Sequence, residues 1–147
     1  MTQPKPTVAD ERIIETMIEL GQCSKLDRIL VAGSNGPHQM FALHRRGYDR
    51  VATTATCGLP RGQYAVALVD WHQSIKALET TLDWLVHFLA TTGVLVIRVD
   101  SSERTGNRKL RSALERLGFQ IEVGTRCEDG LAFSARRREV AQTDVAA

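Results

Sequence analysis

The sequence has 147 residues, of which 43% are hydrophobic and 24% are charged, with a formal net charge of +2. A chain of this size buries roughly two thirds of its unfolded surface as one domain, and its ordinary composition excludes a disordered or fibrous protein. A net charge this small does not by itself indicate a nucleic-acid partner.

The first half of the chain predicts two helices and two strands in alternation. Residues 9–20 carry apolar side chains at helical spacing. Residues 28–32 form a short, branched apolar run of the kind found in a parallel sheet that is covered on both faces. Pro37 suits the first turn of a helix that ends at Gly47, and residues 49–55 follow as the second strand.

The second half continues the alternation and ends in a hairpin. We predict strands over residues 64–69, 94–99, 119–125 and 131–136, a long helix over residues 74–91 that ends at Gly93, and a helix over residues 107–117. Residues 101–106 form a polar loop, either a lid or a plain connection. The order predicts an α/β fold, a Rossmann-like three-layer sandwich whose mostly parallel sheet has one antiparallel strand near the C-terminus.

The apolar pattern also predicts which side chains form the core. Six strand residues are expected to be almost inaccessible to solvent: Ile29, Val31, Val66, Leu68, Leu95 and Ile97. Leu82 and Leu85 lie on the stripe of the long helix and are expected to pack against the sheet. Residues 9–138 therefore form a single domain, and residues 1–8 and 139–147 are predicted to be flexible tails.

The remaining composition predicts a cytoplasmic protein without metal or membrane contact. The first residues lack the apolar segment of a signal peptide, and no apolar run approaches the ~20 residues that span a bilayer. Cys23, Cys57 and Cys127 are odd in number and contain no CxxC pair, so we expect reduced thiols. A nucleic-acid partner is not expected, because the basic run at residues 136–138 suits a charged end of an edge strand.

The C-terminal order of elements resembles one protein family. The order strand, helix, Gly-Phe, strand, acidic turn and strand is carried here by residues 93–97, 110–119 and 131–136. This order is similar to that of class I S-adenosylmethionine-dependent methyltransferases, and the resemblance runs from about residue 11 to residue 138. It implies a methyltransferase-like fold and a cofactor site beyond the carboxyl ends of the parallel strands.

The turn after the first strand departs from the family's pattern. In that family the strand runs into a Gly-x-Gly-x-Gly loop, whose glycines let backbone amides approach the cofactor. The three glycine positions are here Gly33, Asn35 and Pro37, so two of them have changed. The cofactor-binding residues that the resemblance implies in this turn are Gly33, Ser34, Asn35 and Gly36.

The second strand departs from the pattern as well. Family members end it with an Asp or Glu that accepts the two ribose hydroxyls. Here the strand ends in Thr53-Thr54-Ala55-Thr56, and no carboxylate lies between residues 51 and 69. The segment that would carry the third strand and the adenine contacts is shortened to residues 56–63. We therefore expect S-adenosylmethionine to bind weakly, with a dissociation constant in the high micromolar range or above.

The third strand is followed by Asp70, Trp71 and His72, where the resemblance implies an acceptor site. Asp70 would orient a nucleophile, His72 would take its proton, and Trp71 would stack on the sulfonium or on a methyl acceptor. Each has an alternative: Asp70 as a helix cap, Trp71 as a cover for the sheet end, and His72 as a surface residue. Asp100, after the next strand, points to the same edge.

These features leave two functions open. The first is a methyltransferase-like domain with degenerate cofactor motifs, a non-catalytic or altered-ligand module that binds a small molecule or a protein and that could form a homo-oligomer. The alternative is an active, small S-adenosylmethionine-dependent methyltransferase that acts on a small acceptor, with Asp70 and His72 as its catalytic residues.

Overall fold

The structure, a computed structural model, describes residues 8–33, 36–54, 61–100, 104–127 and 130–138. The helices are α1 (Val8–Gly21), α2 (Gly36–Arg45), α3 (Ile75–Leu85), followed by a short 3₁₀ helix (Val86–Phe88), and α4 (Arg104–Arg116). The strands are β1 (Ile29–Ala32), β2 (Val51–Thr53), β3 (Tyr64–Trp71), β4 (Leu89–Val99), β5 (Phe119–Cys127) and β6 (Gly130–Arg137). The predicted tails lie outside the described residues, apart from Val8, which begins α1.

The six strands form one sheet in the order β2-β1-β3-β4-β6-β5. The pairs β1–β2, β1–β3 and β3–β4 are parallel, and β6 runs antiparallel to both β4 and β5. The predicted Rossmann-like architecture, with a mostly parallel sheet and an antiparallel C-terminal strand, is therefore confirmed.

Helices cover both faces of the sheet. Because successive side chains of a strand point to opposite faces, Ile29 and Val31 of β1 pack against α1 and α2, whereas Leu30 packs in the cluster with α3 and α4. The six strand residues expected in the core are all 2% exposed or less, as predicted. Leu82 and Leu85 are completely buried beneath α3.

Two predicted boundaries are wrong. The helix predicted over residues 74–91 ends earlier, because β4 begins at Leu89, which pairs with Tyr64 of β3. Leu89 continues the helical stripe in the sequence, but pairing with a neighbouring strand determines its conformation, so Gly93 lies inside β4. The predicted polar loop is also shorter, since α4 already begins at Arg104.

Candidate functional site

The candidate site lies where β1, β3 and β4 end. Ala32 pairs with Val69, and Asp70 pairs with Arg98, so the residues that follow β1 meet those at the ends of β3 and β4. In open α/β sheets this edge is where ligands bind. The predicted residues Asp70 and His72 lie here, and so does Gly33.

Gly33 is required by the packing of this edge. Its φ is +111°, and a Cβ at this position would lie 2.1 Å from the backbone oxygen of Asp70. The chain leaving β1 therefore crosses close over β3, which only glycine permits. Ser34 and Asn35 lie outside the described residues.

Gly36 begins α2 and has a different environment. Its N–H donates to the Gly33 oxygen at 3.3 Å, and a Cβ at Gly36 would meet only the Thr53 side chain, at 3.7 Å. The amino end of α2 thus lies beside the end of β2, where Thr53 is buried. No acidic residue lies in the first turn of α2.

Asp70 is held by a buried arginine. The Arg98 Nη1 donates to Asp70 Oδ1 at 3.0 Å and to Asp100 Oδ1 at 2.9 Å. The side chains of Arg98 and Asp70 are 2% and 7% exposed, whereas that of Asp100 is 43% exposed. One guanidinium therefore joins a buried carboxylate to a partly exposed one.

His72 lies between the same two carboxylates. Its Nδ1 is 2.5 Å from Asp100 Oδ2, and its Nε2 is 3.2 Å from Asp70 Oδ1. Burial acts to lower the pKa of His72, but the hydrogen bond to Asp100 and the charge and hydrogen bond of Asp70 outweigh it, so the pKa lies above 6.5.

The geometry favours the doubly protonated ring of His72. Nη1 of Arg98 carries two hydrogens, which match its two carboxylate acceptors, so the contact of 3.4 Å from Nη1 to Nε2 of His72 is the longest of the three. Nε2 is then left to donate to Asp70. With His72 protonated, the four side chains carry two positive and two negative charges and form a balanced network.

Trp71 is placed away from this network. It lies in the core cluster beneath α3 and is 8% exposed, and its Nε1–H donates to the Ser74 backbone oxygen at 2.9 Å. Because neighbouring strand residues face opposite sides, Trp71 and Asp70 point to different faces of the sheet. The structure thus brings Gly33, Asp70 and His72 together and does not bring the Trp71 ring to them.

Arg98 is the site residue that sequence reasoning missed. It occurs in the run Val94-Leu95-Val96-Ile97-Arg98-Val99, whose apolar pattern predicts only a buried strand. The signal was available, because an arginine inside such a run needs a buried partner, and Asp70 stands near the end of another buried strand.

Possible metal ligands and cysteine thiols are the other reactive groups to consider in the described part of the chain. No three His, Cys, Asp or Glu side chains there could jointly hold a metal ion. Cys23 is a free thiol whose pKa is raised to about 12 by burial and by the charge of Asp27. Cys57 and the side chain of Cys127 lie outside the described residues. None of the helices described is long and apolar enough to cross a membrane.

Solved structures share this fold. The chain resembles the ribosomal protein L11 methylase of Lactobacillus delbrueckii subsp. bulgaricus, with a TM-score of 0.64 and 12% identity over 87% of this chain and 78% of that chain. It also resembles a SAM-dependent methyltransferase of Aquifex aeolicus, with a TM-score of 0.63 and 9% identity over 87% and 89% of the two chains. The [4+2]-cyclase SpnF has a TM-score of 0.63 and 13% identity over 88% and 81%.

Comparisons with protein-family models and with curated protein sequences gave no match. The structural similarity confirms the resemblance at the level of the fold: the chain has the class I S-adenosylmethionine-dependent methyltransferase fold.

Proposed function

We propose that this chain is a methyltransferase-like module that does not catalyse methyl transfer and that binds a small molecule or a protein other than S-adenosylmethionine. The observation that carries the proposal is the pairing of Asp70 and Asp100 with Arg98 and His72. The carboxylates at the ends of β3 and β4 are thereby engaged by groups of the protein itself.

The charge balance of this network supports weak cofactor binding. S-adenosylmethionine carries a sulfonium and an ammonium group, which favour a site with negative charge left over. Asp70 is instead paired with the Arg98 guanidinium at 3.0 Å, and Asp100 is paired with both Arg98 and His72, whose pKa is raised by these two carboxylates. The described residues at this edge therefore offer a cationic ligand little net attraction.

The end of β2 supports the same conclusion. β2 ends at Thr53, and the resemblance implies that a carboxylate at the end of this strand would accept both ribose hydroxyls in a charge-assisted pair that contributes roughly 1.5–3 kcal/mol. Loss of this pair corresponds to a tenfold to hundredfold weaker affinity for S-adenosylmethionine, which agrees with the weak binding expected from the sequence. The glycine at position 33 is accounted for by the close approach to Asp70 and needs no cofactor to explain it.

Proteins with this fold differ in their activities, which supports a proposed function without methyl transfer. One of the similar structures is described as a [4+2]-cyclase, while others are methyltransferases. Because one fold hosts unrelated activities, the function has to be inferred from the site. Among the residues described, this site has no carboxylate left free to accept a hydrogen bond from a ligand.

Calorimetric titration of the protein with S-adenosylmethionine and S-adenosylhomocysteine tests the proposal. We expect no binding tighter than the high micromolar range, with an active methyltransferase titrated in parallel as the control. A low-micromolar dissociation constant at neutral pH would contradict the proposal.

An active methyltransferase is the second candidate, and the position of Gly33 and Gly36 favours it. Gly33 follows β1 and Gly36 is the first residue of α2, where helix amides suit the carboxylate of the cofactor's methionine part. In that case Asp70 and His72 would serve the acceptor. Formation of S-adenosylhomocysteine in the presence of an acceptor, lost in Asp70→Asn and His72→Gln, would establish this candidate.

A further inference from the structure

A groove of about 410 Å³ lies between α4 and the hairpin of β5 and β6. It opens on the face of the sheet that α3 and α4 cover, where Leu110 and Phe133 contribute to the core cluster. Asp70 and Arg98 face the other side, because they alternate with residues of that cluster along β3 and β4. The groove is therefore separate from the strand-end site.

A bulge in β5 creates the groove. The pairing of β5 with β6 shifts register between Ile121 and Val123. In an uninterrupted strand Val123 would follow Ile121 on the side of α4, but after the bulge Gly124 stands opposite Phe133, and Val123 is 54% exposed. The position that a valine would fill is thus occupied by a residue without a side chain.

The lining combines an apolar floor with a cationic rim. Leu110, Ile121, Leu131 and Phe133 provide the apolar surface. Arg108 and Arg111, three residues apart on α4, are exposed along the same side of the helix and also line the groove. No acidic side chain is among the described residues that line it.

A buried acceptor completes the lining. Asn107 Oδ1 is inaccessible to solvent and has no hydrogen-bond partner among the described residues. A buried carbonyl oxygen without a donor is costly, so a ligand with an N–H or O–H would bind more tightly if a change of the Asn107 side-chain torsion turned this oxygen toward the groove.

We propose that this groove binds a small amphipathic anion. Its carboxylate would pair with Arg108 and Arg111, its flat apolar body would lie on Leu110 and Phe133, and a donor group would face Asn107. The volume of about 410 Å³ falls within the roughly 300–1,000 Å³ of small-molecule sites. The proposal is independent of whether the strand-end site binds S-adenosylmethionine.

Three related probes separate the contributions of the groove. Indole-3-propionate has the carboxylate, the flat ring and the N–H, tryptophol lacks the charge, and 3-(1-naphthyl)propionate lacks the N–H. In calorimetric titrations we expect indole-3-propionate to bind with a submillimolar dissociation constant, and each of the other two to bind at least about fivefold more weakly, on the order of one lost hydrogen bond or ion pair. Absence of binding by all three would overturn the proposal.

Substitutions then locate the binding. Gly124→Val should abolish binding of indole-3-propionate, because the valine fills the groove, whereas Val123→Leu on the opposite side should leave it unchanged. The added Cβ at Gly124 meets Phe133 Cβ at 3.7 Å, an ordinary contact, so the variant is expected to fold. Unchanged binding by Gly124→Val would show that the probe binds elsewhere and would overturn the proposal.

A charge variant gives a second readout that does not depend on the glycine. Arg111→Gln should weaken indole-3-propionate at least about fivefold and leave tryptophol unaffected, while Arg116→Gln, outside the groove on the same helix, should change neither. Equal effects of the two arginine variants would indicate nonspecific attraction of anions and would contradict the assigned site.

Discussion

Arg98 and Asp70 stand side by side on β4 and β3, and the Arg98 guanidinium donates to the Asp70 carboxylate at 3.0 Å with both side chains buried. Parallel register places the two residues opposite each other, so the pair follows directly from the alignment of the two strands. Breaking a buried pair leaves an uncompensated charge in the protein, which is far more costly than losing a pair at the surface.

Arg98→Met is therefore expected to lower the free energy of unfolding by roughly 3 kcal/mol, near the lower end for a broken buried pair because His72 still contacts Asp70. Urea denaturation measures the effect. Arg136→Met, which removes a half-exposed pair with Glu122, is the matched control and should cost less than about 1 kcal/mol. Similar losses in the two variants would show that the Arg98 pair has no special role.

The stability of the protein should depend on the protonation of His72. Its pKa in the folded protein is raised above 6.5, so its stabilising contribution is complete below pH 6.5 and is lost as the pH rises through the folded-state pKa. The free energy of unfolding of the wild type minus that of His72→Gln should therefore fall as the pH rises above 6.5. A difference that stays flat or grows over this range would contradict the assigned network of Asp70, Asp100 and Arg98.

Gly33 and Gly36 should respond differently to replacement by alanine. Gly33→Ala is expected to destabilise the protein by at least about 2 kcal/mol, because φ is +111° and the new methyl group would meet the Asp70 oxygen. Gly36→Ala is the matched control and should leave stability unchanged or raise it by up to about 1 kcal/mol. Thermal denaturation of the ligand-free variants measures both, and a harmless Gly33→Ala would be inconsistent with the close approach.

Leu82 tests the packing of α3 against the sheet. Leu82→Ala should destabilise the protein by roughly 2–5 kcal/mol, because this completely buried side chain would leave a cavity. Asp83→Ala, one position along on the exposed side, should stay within about 0.5 kcal/mol of the wild type in the same urea denaturation. A small loss for Leu82→Ala would mean that the helix can close over the missing group.

The sequence predicted the fold where short-range patterns determine the structure. Branched apolar runs such as residues 28–32 are typical of a parallel strand between two layers of helices, and β1 lies there with all four residues buried. The pattern failed at Leu89, because a leucine four residues after Leu85 suits a helix, yet the pairing with Tyr64 places it in a strand. Such pairing depends on residues far apart in the chain, which a local pattern does not contain.

The candidate site was predictable only in part for the same reason. Asp70 and His72 were expected at the strand ends, and the structure places them there. The hydrogen bonds and ion pairs of Asp70 and His72 were not predictable, because they depend on Arg98. The register between β3 and β4 determines which residue Arg98 pairs with. For Trp71 the sequence left two roles open, stacking on a ligand or covering the sheet end, and β3 extends to this residue and turns its ring toward α3. Its stacking on a ligand thus stays a prediction that the observed packing does not favour.

The position of β6 has a consequence for synthesis on the ribosome. β5 is made before β6, but in the sheet it is joined to β4 only through β6. A nascent chain that has emerged only as far as residue 127 therefore exposes an unpaired edge of β4 and has no neighbour for β5. Folding of this half must wait until residues 130–137 leave the exit tunnel, and until then the open edge is where a chaperone would be needed most.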